Sequence, residues 1–196
     1  MLIVLTGIDG SGKSTAARAL VSAAQAEGRN ALLLSNHAGR RSMSVLAQRL
    51  GIQWPHRLAD AAETALRIIN VLISHAKASR FDGLVVMDRH LHCQLALRAA
   101  KGLPRGRLLP WLLSVLPAPD AVVHLDVEPA LAHRRIVARG TDAETLEDLM
   151  ALRDAYRAMP EYPGFIQLYA ACPPDEVVAR LAGLVGIVGQ EAAVRS

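Results

Sequence analysis

Nine consecutive residues carry the plainest chemistry in this chain: Gly7-Ile8-Asp9-Gly10-Ser11-Gly12-Lys13-Ser14-Thr15. The Gly-x4-Gly-Lys-Ser spacing lets glycine take positive φ and turn backbone N–H groups onto phosphate oxygens. Lys13 is then placed to reach the β- and γ-phosphates of a nucleotide, and the Ser14 hydroxyl to bind Mg²⁺. A helix starting near Lys13 adds the positive end of its dipole. Gly7, Gly10, Ser11, Gly12, Lys13, Ser14 and Thr15 are therefore the candidate polyphosphate site, and ATP and Mg²⁺ the cofactors it implies. Such a loop leaves open which molecule receives the phosphoryl group.

A second cluster follows the apolar run "GLVVM" at 83–87, where Asp88 and Arg89 stand together. Open parallel sheets bind their ligands at the C-terminal ends of strands. An acid there holds Mg²⁺ or its waters, and a guanidinium grips a phosphate bidentately. His90-x-His92 is no metal pair on a helix, because positions i and i+2 do not face one another. His124, inside an apolar stretch, reads as a satisfied core or strand-end histidine.

The elements that must position these residues are legible as apolar runs. Strands are expected at 2–6, 31–35, 83–88, 121–127 and 165–170. Helices are expected at 13–28, 92–101, 107–116, 129–139, 143–158 and 174–187. A long helical pattern over 58–79 runs through Ala62, Ala65, Leu66, Ile69, Leu72, Ile73 and Ala76. Strands apolar on both faces and alternating with helices imply a parallel sheet covered on both sides. The expected fold is α/β, a three-layer P-loop NTPase fold with a five-stranded parallel sheet.

Length and composition agree. At 196 residues and 52% hydrophobic, one domain over 1–196 is the natural expectation. No stretch approaches the roughly 18 apolar residues of a membrane span, so a cytoplasmic chain without membrane contact is expected. Cys93 and Cys172 form neither a disulfide framework nor a metal pattern. A net charge of +4 suits an anionic ligand, while 4% aromatic residues and no long basic run argue against nucleic acid.

The wording of the motifs is more specific. "GIDGSGKST", "VVMDRH" (85–90), "PDAVVHLDVEPALAHRRIVARG" (119–140) and "YAACPPDEVVARLAGLV" (169–185) together resemble the thymidylate kinase family, in order and over nearly the whole chain. The resemblance implies ATP-dependent phosphorylation of dTMP to dTDP and a possible homodimer. It implies that Asp9 faces the acceptor sugar and metal, that Asp88 and Ser14 serve the metal, and that Arg89 holds the acceptor phosphate. Arg67, 22 positions before Arg89, matches the family's acceptor-contacting arginine.

The departures bear on the acceptor. The family's Arg-Glu-Pro-Gly stretch is replaced by Asn36-His37-Ala38-Gly39, with Arg40 and Arg41 following as substitutes for the phosphate contact. Cys93, Leu97 and Arg98 occupy positions that the family gives to a Ser and a Tyr-Gln pair near the base. The lid, around 134–153, holds no Arg or Lys between Arg139 and Arg153. Arg139 and Arg135, four apart on one helical face, are the candidates for the missing catalytic cation, with Arg134 and Arg153 behind them. A kinase for a nucleoside or other small hydroxyl metabolite, and a nucleotide-binding regulator with little turnover, remain the alternatives.

Overall fold

The computed structural model describes residues 1–36, 56–140 and 144–194. Arg40 and Arg41 lie outside the described residues. Five strands form one sheet: β1 (Leu2–Thr6), β2 (Ala31–Ser35), β3 (Leu84–Asp88), β4 (Ala121–Asp126) and β5 (Ile166–Tyr169). Their order is β2-β3-β1-β4-β5, and every pairing is parallel.

Helices cover both faces. They are α1 (Lys13–Ala26), α2 (His56–Ala78), α3 (Leu91–Ala100), α4 (Leu108–Val115), α5 (Pro129–Arg139), α6 (Leu146–Arg157) and α7 (Pro174–Val194). Alternate strand residues explain the layering. Ile3, Leu5, Leu84, Val86, Val123 and Leu125 point to a core shared with Ala17, Leu20 of α1 and Leu181 of α7. Val4, Leu34, Val85 and Met87 point the other way. On that side a third cluster joins Val71 of α2, Leu95 of α3, Leu112 of α4, Ile136 of α5 and Leu149 of α6. Fully burying such a side chain contributes about 1.5–3 kcal/mol.

Strand register brings the chemistry to one edge. Leu5 pairs with Asp88, Ser35 pairs with Asp88, and Thr6 pairs with His124. The phosphate loop, the Asp-Arg corner and Asp126 therefore all leave the sheet at its C-terminal end.

Element boundaries sit within a few residues of expectation, except that α7 runs on to Val194 instead of stopping near 187. The finding that the apolar pattern did not foretell concerns α2. Its conspicuous stripe points outward: Ile69, Leu72 and Ile73 are 52%, 41% and 48% exposed. The buried face is polar, with Asp60, Glu63, Thr64, Arg67, Ser74 and His75 around Val71. The stretch 103–113 also only half enters the core, since Leu109 and Leu112 are buried while Leu108 and Trp111 are exposed.

Candidate active site

The phosphate loop is shaped by close backbone approaches. A Cβ at Gly10 would lie 2.5 Å from the Ala132 carbonyl oxygen, so α5 abuts the loop too tightly for any other residue. Gly12 has φ 91° and caps α1 in the left-handed conformation, and no acidic residue occupies the first turn of that helix. A Cβ there would meet nothing within 4 Å. Open space thus lies where the first N–H groups of α1 emerge, which suits an anion. Lys13 Nζ donates to Ile8 O at 2.6 Å and Ser11 Oγ at 3.3 Å, and lies 3.8 Å from Asp9. Burial, reinforced by Arg89, lowers its pKa, while Asp9 and Asp88 oppose the shift.

Asp88 faces the loop. Ser14 Oγ donates to Asp88 Oδ2 at 2.5 Å. Asp88 Oδ1 is buried with no hydrogen-bond partner among the described residues. A buried carboxylate oxygen left without a donor is costly unless a cation completes it. Hard oxygen donors from a carboxylate and a hydroxyl are what Mg²⁺ takes, so the residues present fit that ion.

Arg89 turns away from the strand. Its φ is 76°, and its guanidinium pairs with Asp9. Burial pulls its pKa down, but Asp9 foremost, with Cys93, Asp88 and Tyr156 adding to it, holds the group above the usual arginine range. Asp9 is thus shared between Lys13 and Arg89 and fastens the loop to the end of β3.

Opposite stands the polar face of α2. Arg67 is 2% exposed. Its Nε donates to Gln94 Oε1 at 2.9 Å and its Nη1 to Asn36 O at 3.1 Å, with Glu63 3.7 Å away. Burial lowers its pKa. Gln94 Nε2 donates in turn to Thr64 Oγ1 at 2.9 Å. Asn36, Ser74, Thr64 and Gln94 were not singled out as site residues by the motifs. Polar residues at three- and four-residue spacing, opposite the apolar stripe of α2, were the available signal.

Arg98 does not join Arg67 and Arg89. It pairs with Asp60 and donates to Pro104 O at 3.0 Å, tying the end of α3 to α2 and to the following loop. Cys93 and Leu97 are both buried on α3. His90 and His92 do meet, contrary to the helical-spacing argument, with Nδ1 atoms 3.3 Å apart. The reason is that His90 precedes the helix in extended conformation, φ −150°. His75 Nε2 lies 3.0 Å from His90 Nε2, completing a buried row of three imidazoles. Among the described residues no group of His, Cys, Asp or Glu is arranged to hold a metal ion on its own. His124 is a satisfied core residue, 3.2 Å from Thr6 Oγ1 and packed on Tyr156 and Tyr162.

The lid arginines divide. Arg135 Nη1 donates to Ala170 O at 3.1 Å and lies 3.5 Å from Gly10 O in the phosphate loop. Arg139 is exposed in the last turn of α5, ahead of Gly140, and Arg134 is exposed beside them. Arg153 binds Asp126 through Nε and Nη2, at 2.9 and 3.0 Å, and Glu128 through Nη1 and Nη2 at 3.0 and 2.9 Å. Arg157 adds a 3.2 Å contact to Asp126. These pairs clamp α6 to the end of β4.

A parallel sheet feeding a Gly-x4-Gly-Lys-Ser loop, with an acid from the neighbouring strand on the loop serine, defines a P-loop nucleotide-binding fold. The thymidylate kinase family model matches residues 5–181, and the chain belongs to the thymidylate kinase family. It is 30% identical over 192 residues to the probable thymidylate kinase of Pyrobaculum aerophilum, covering 93% of this chain and 95% of that protein. It is 32% identical over 195 residues to a thymidylate kinase of Xanthomonas oryzae pv. oryzae, covering 94% and 82% respectively. A thymidylate kinase of Xylella fastidiosa is 29% identical over 195 residues, covering 94% and 86%.

Proposed function

We propose that this chain transfers the γ-phosphoryl group of ATP to dTMP, giving dTDP and ADP. The carrying observation is the gathering of cations at the C-terminal end of the sheet. Lys13 in the phosphate loop and Arg89 after β3 share Asp9, and the buried Arg67 lies near enough to Arg89 to feel its charge. That supports a donor polyphosphate facing an acceptor that is itself anionic.

No protein nucleophile is required, since an oxygen of the acceptor phosphate attacks the γ-phosphorus and the bond to the β,γ-bridging oxygen breaks. The protein's contribution is positioning and charge neutralisation. Gly10, Ser11, Gly12, Lys13, Ser14 and Thr15 hold the donor, Arg89 orients the acceptor phosphate, and Asp9 fixes Arg89. Mg²⁺, held through Ser14 and Asp88, would neutralise charge on the β- and γ-oxygens. Arg67, held by Gln94 and Asn36, adds its charge to the acceptor side.

One domain spanning 1–196 with a short lid around 134–153 is part of this reading. So is a homodimer through α2, whose outward Ile69, Leu72 and Ile73 offer an apolar face. No described helix is long and apolar enough to cross a membrane.

A product assay with MgATP and, separately, dTMP, dUMP and thymidine tests this reading. Formation of dTDP supports it. Phosphorylation of thymidine alone would make the chain a nucleoside kinase. Nucleotide binding without product would favour the low-turnover regulator, for which the occupation of Arg153 by Asp126 and Glu128 speaks.

A further inference from the structure

Arg89 is the one non-glycine residue with left-handed φ among the described residues, at 76°. A long side chain in that conformation is strained and persists only where its surroundings over-determine it. The Arg89 N–H reaches Leu5 O at 3.2 Å, extending the β1–β3 ladder. Its carbonyl leaves the ladder and accepts from Asn36 Nδ2 at 2.8 Å.

Asn36 is wholly buried and uses all four of its polar groups. Its N–H donates to Asp88 O at 3.0 Å. Its carbonyl accepts from Arg67 Nη1 at 3.1 Å, and its Oδ1 accepts from Ser74 Oγ at 2.7 Å. The orientation of the carboxamide follows from chemistry. A backbone carbonyl only accepts, so the amide nitrogen must face Arg89 and the oxygen must face the Ser74 hydroxyl. Both acceptor-side arginines are therefore referenced to one residue, Arg67 through the Asn36 backbone and Arg89 through its side chain. Asn36 stands where the family resemblance shows an arginine, so this chain has a backbone clamp in place of a cation.

We propose that Asn36 is a positioning residue for acceptor binding. Its carboxamide holds the Arg89 peptide in the left-handed conformation, and Ser74 fixes the carboxamide. The guanidinium of Arg89 then points at the acceptor phosphate. This rests on the reading of Arg89 as an acceptor ligand. Asparagine suits this role, because aspartate would set an oxygen against the Arg89 carbonyl and serine is too short to span both partners.

The experiment is steady-state kinetics of dTMP phosphorylation for Asn36→Ala, Ser74→Ala, Arg89→Ala and the Asn36→Ala/Arg89→Ala double variant. Asn36→Ala deletes only the side-chain bonds and leaves the backbone contacts to Asp88 and Arg67. It is expected to raise the KM for dTMP about tenfold, the scale of one buried hydrogen bond. The KM for ATP should stay within about twofold, and in the Arg89→Ala background the same substitution should change the dTMP KM by less than about twofold. Ser74→Ala should act in the same direction and more weakly, again only when Arg89 is present. It carries the comparison if Asn36→Ala does not fold. Full additivity with Arg89→Ala, or an equal rise in both KM values, overturns the proposal. If Arg89→Ala leaves the dTMP KM unchanged, or no dTMP is phosphorylated, the acceptor reading itself falls and takes this inference with it. If Arg89→Ala raises that KM while the Asn36 and Ser74 variants do nothing, only the present inference fails.

Discussion

Ser14 and Asp88, 74 residues apart in sequence, meet through a 2.5 Å hydrogen bond that spans from the first turn of α1 to the end of β3. The fold itself thus sets side by side two oxygens suited to one ion. Ser14→Ala should leave folding intact but raise the Mg²⁺ concentration needed for half-maximal rate, and lower kcat by about 10²-fold. A magnesium titration of initial rates measures both. An unchanged magnesium dependence in Ser14→Ala would remove this residue from the metal site.

Lys13 is 3% exposed, and burial lowers its pKa, so the fold carries an expensive cation at this position. Lys13→Met should reduce turnover by about 10²-fold or more, by comparison with loss of a single electrostatic donor. Its Tm should be equal to or above that of the parent, because a desolvated charge is exchanged for an apolar side chain of similar length. Calorimetry beside a kcat measurement checks the pair. A large drop in Tm would mean that the lysine serves the fold before the reaction.

Arg135 and Arg139 lie on the same face of α5. Arg135 reaches the phosphate loop at Gly10 O, whereas Arg139 sits exposed in the last turn. If Arg139 swings in on closure, Arg139→Ala should depress kcat strongly while ATP affinity measured without turnover barely changes. Arg135→Ala should instead weaken ATP binding as well, since its contact to the loop exists before closure. Should both variants keep kcat within a few-fold of the parent, as order of magnitude, α5 supplies no catalytic cation.

Acid should unfold this protein early. Burial holds His92 and His124 down at about 4, against an ordinary value of 6.5, with Glu161 and Asp126 respectively opposing the shift. Between those pH values the unfolded chain binds protons that the folded chain refuses. Stability is therefore full above about pH 6.5 and is lost as pH falls toward 4, by about 1.4 kcal/mol per pH unit for each uncompensated proton. Urea midpoints at pH 7.5, 6 and 5 measure the slope, and a His92→Gln variant should flatten part of it. A midpoint constant over that range contradicts the assignment of neutral buried imidazoles.

Candidate site residues defined by local spacing could be picked out in advance. The phosphate loop depends on glycines and a lysine within nine residues, and Asp88-Arg89 on an apolar strand ending in two charges, so neither needs distant information. The central strands β1 and β3 were readable because a strand buried on both faces is apolar nearly throughout. The edge strands β2 and β5, exposed at Ser35 and Gln167, were readable because a short apolar run survives in each. The polar network around Arg67 was not. Gln94, Thr64, Asn36 and Ser74 come from the end of β2, from α2 and from α3, and each looks ordinary until packing brings the side chains together. The row of His75, His90 and His92 was hidden for a related reason. Helical spacing separates His90 from His92, and only the extended backbone at His90 brings their rings together. The α2 stripe drew attention to the wrong face, because a hydrophobic pattern reports where a helix is greasy and not what it is greasy toward.

The opposed faces of α2 also set the kind of change this helix can absorb. Each residue advances an α-helix by about 100°. Deleting one residue between Glu63 and Ser74 would rotate everything beyond it by that angle. A deletion just after Arg67 would put Leu72 in the buried place of Val71 and Ser74 in the exposed place of Ile73. Substitutions along the outer stripe alter only what lies outside, whereas a change in length scrambles both surfaces at once. The spacing between Arg67 and Ser74 is thus a phase constraint, and it restricts insertions and deletions here more severely than it restricts side-chain identity.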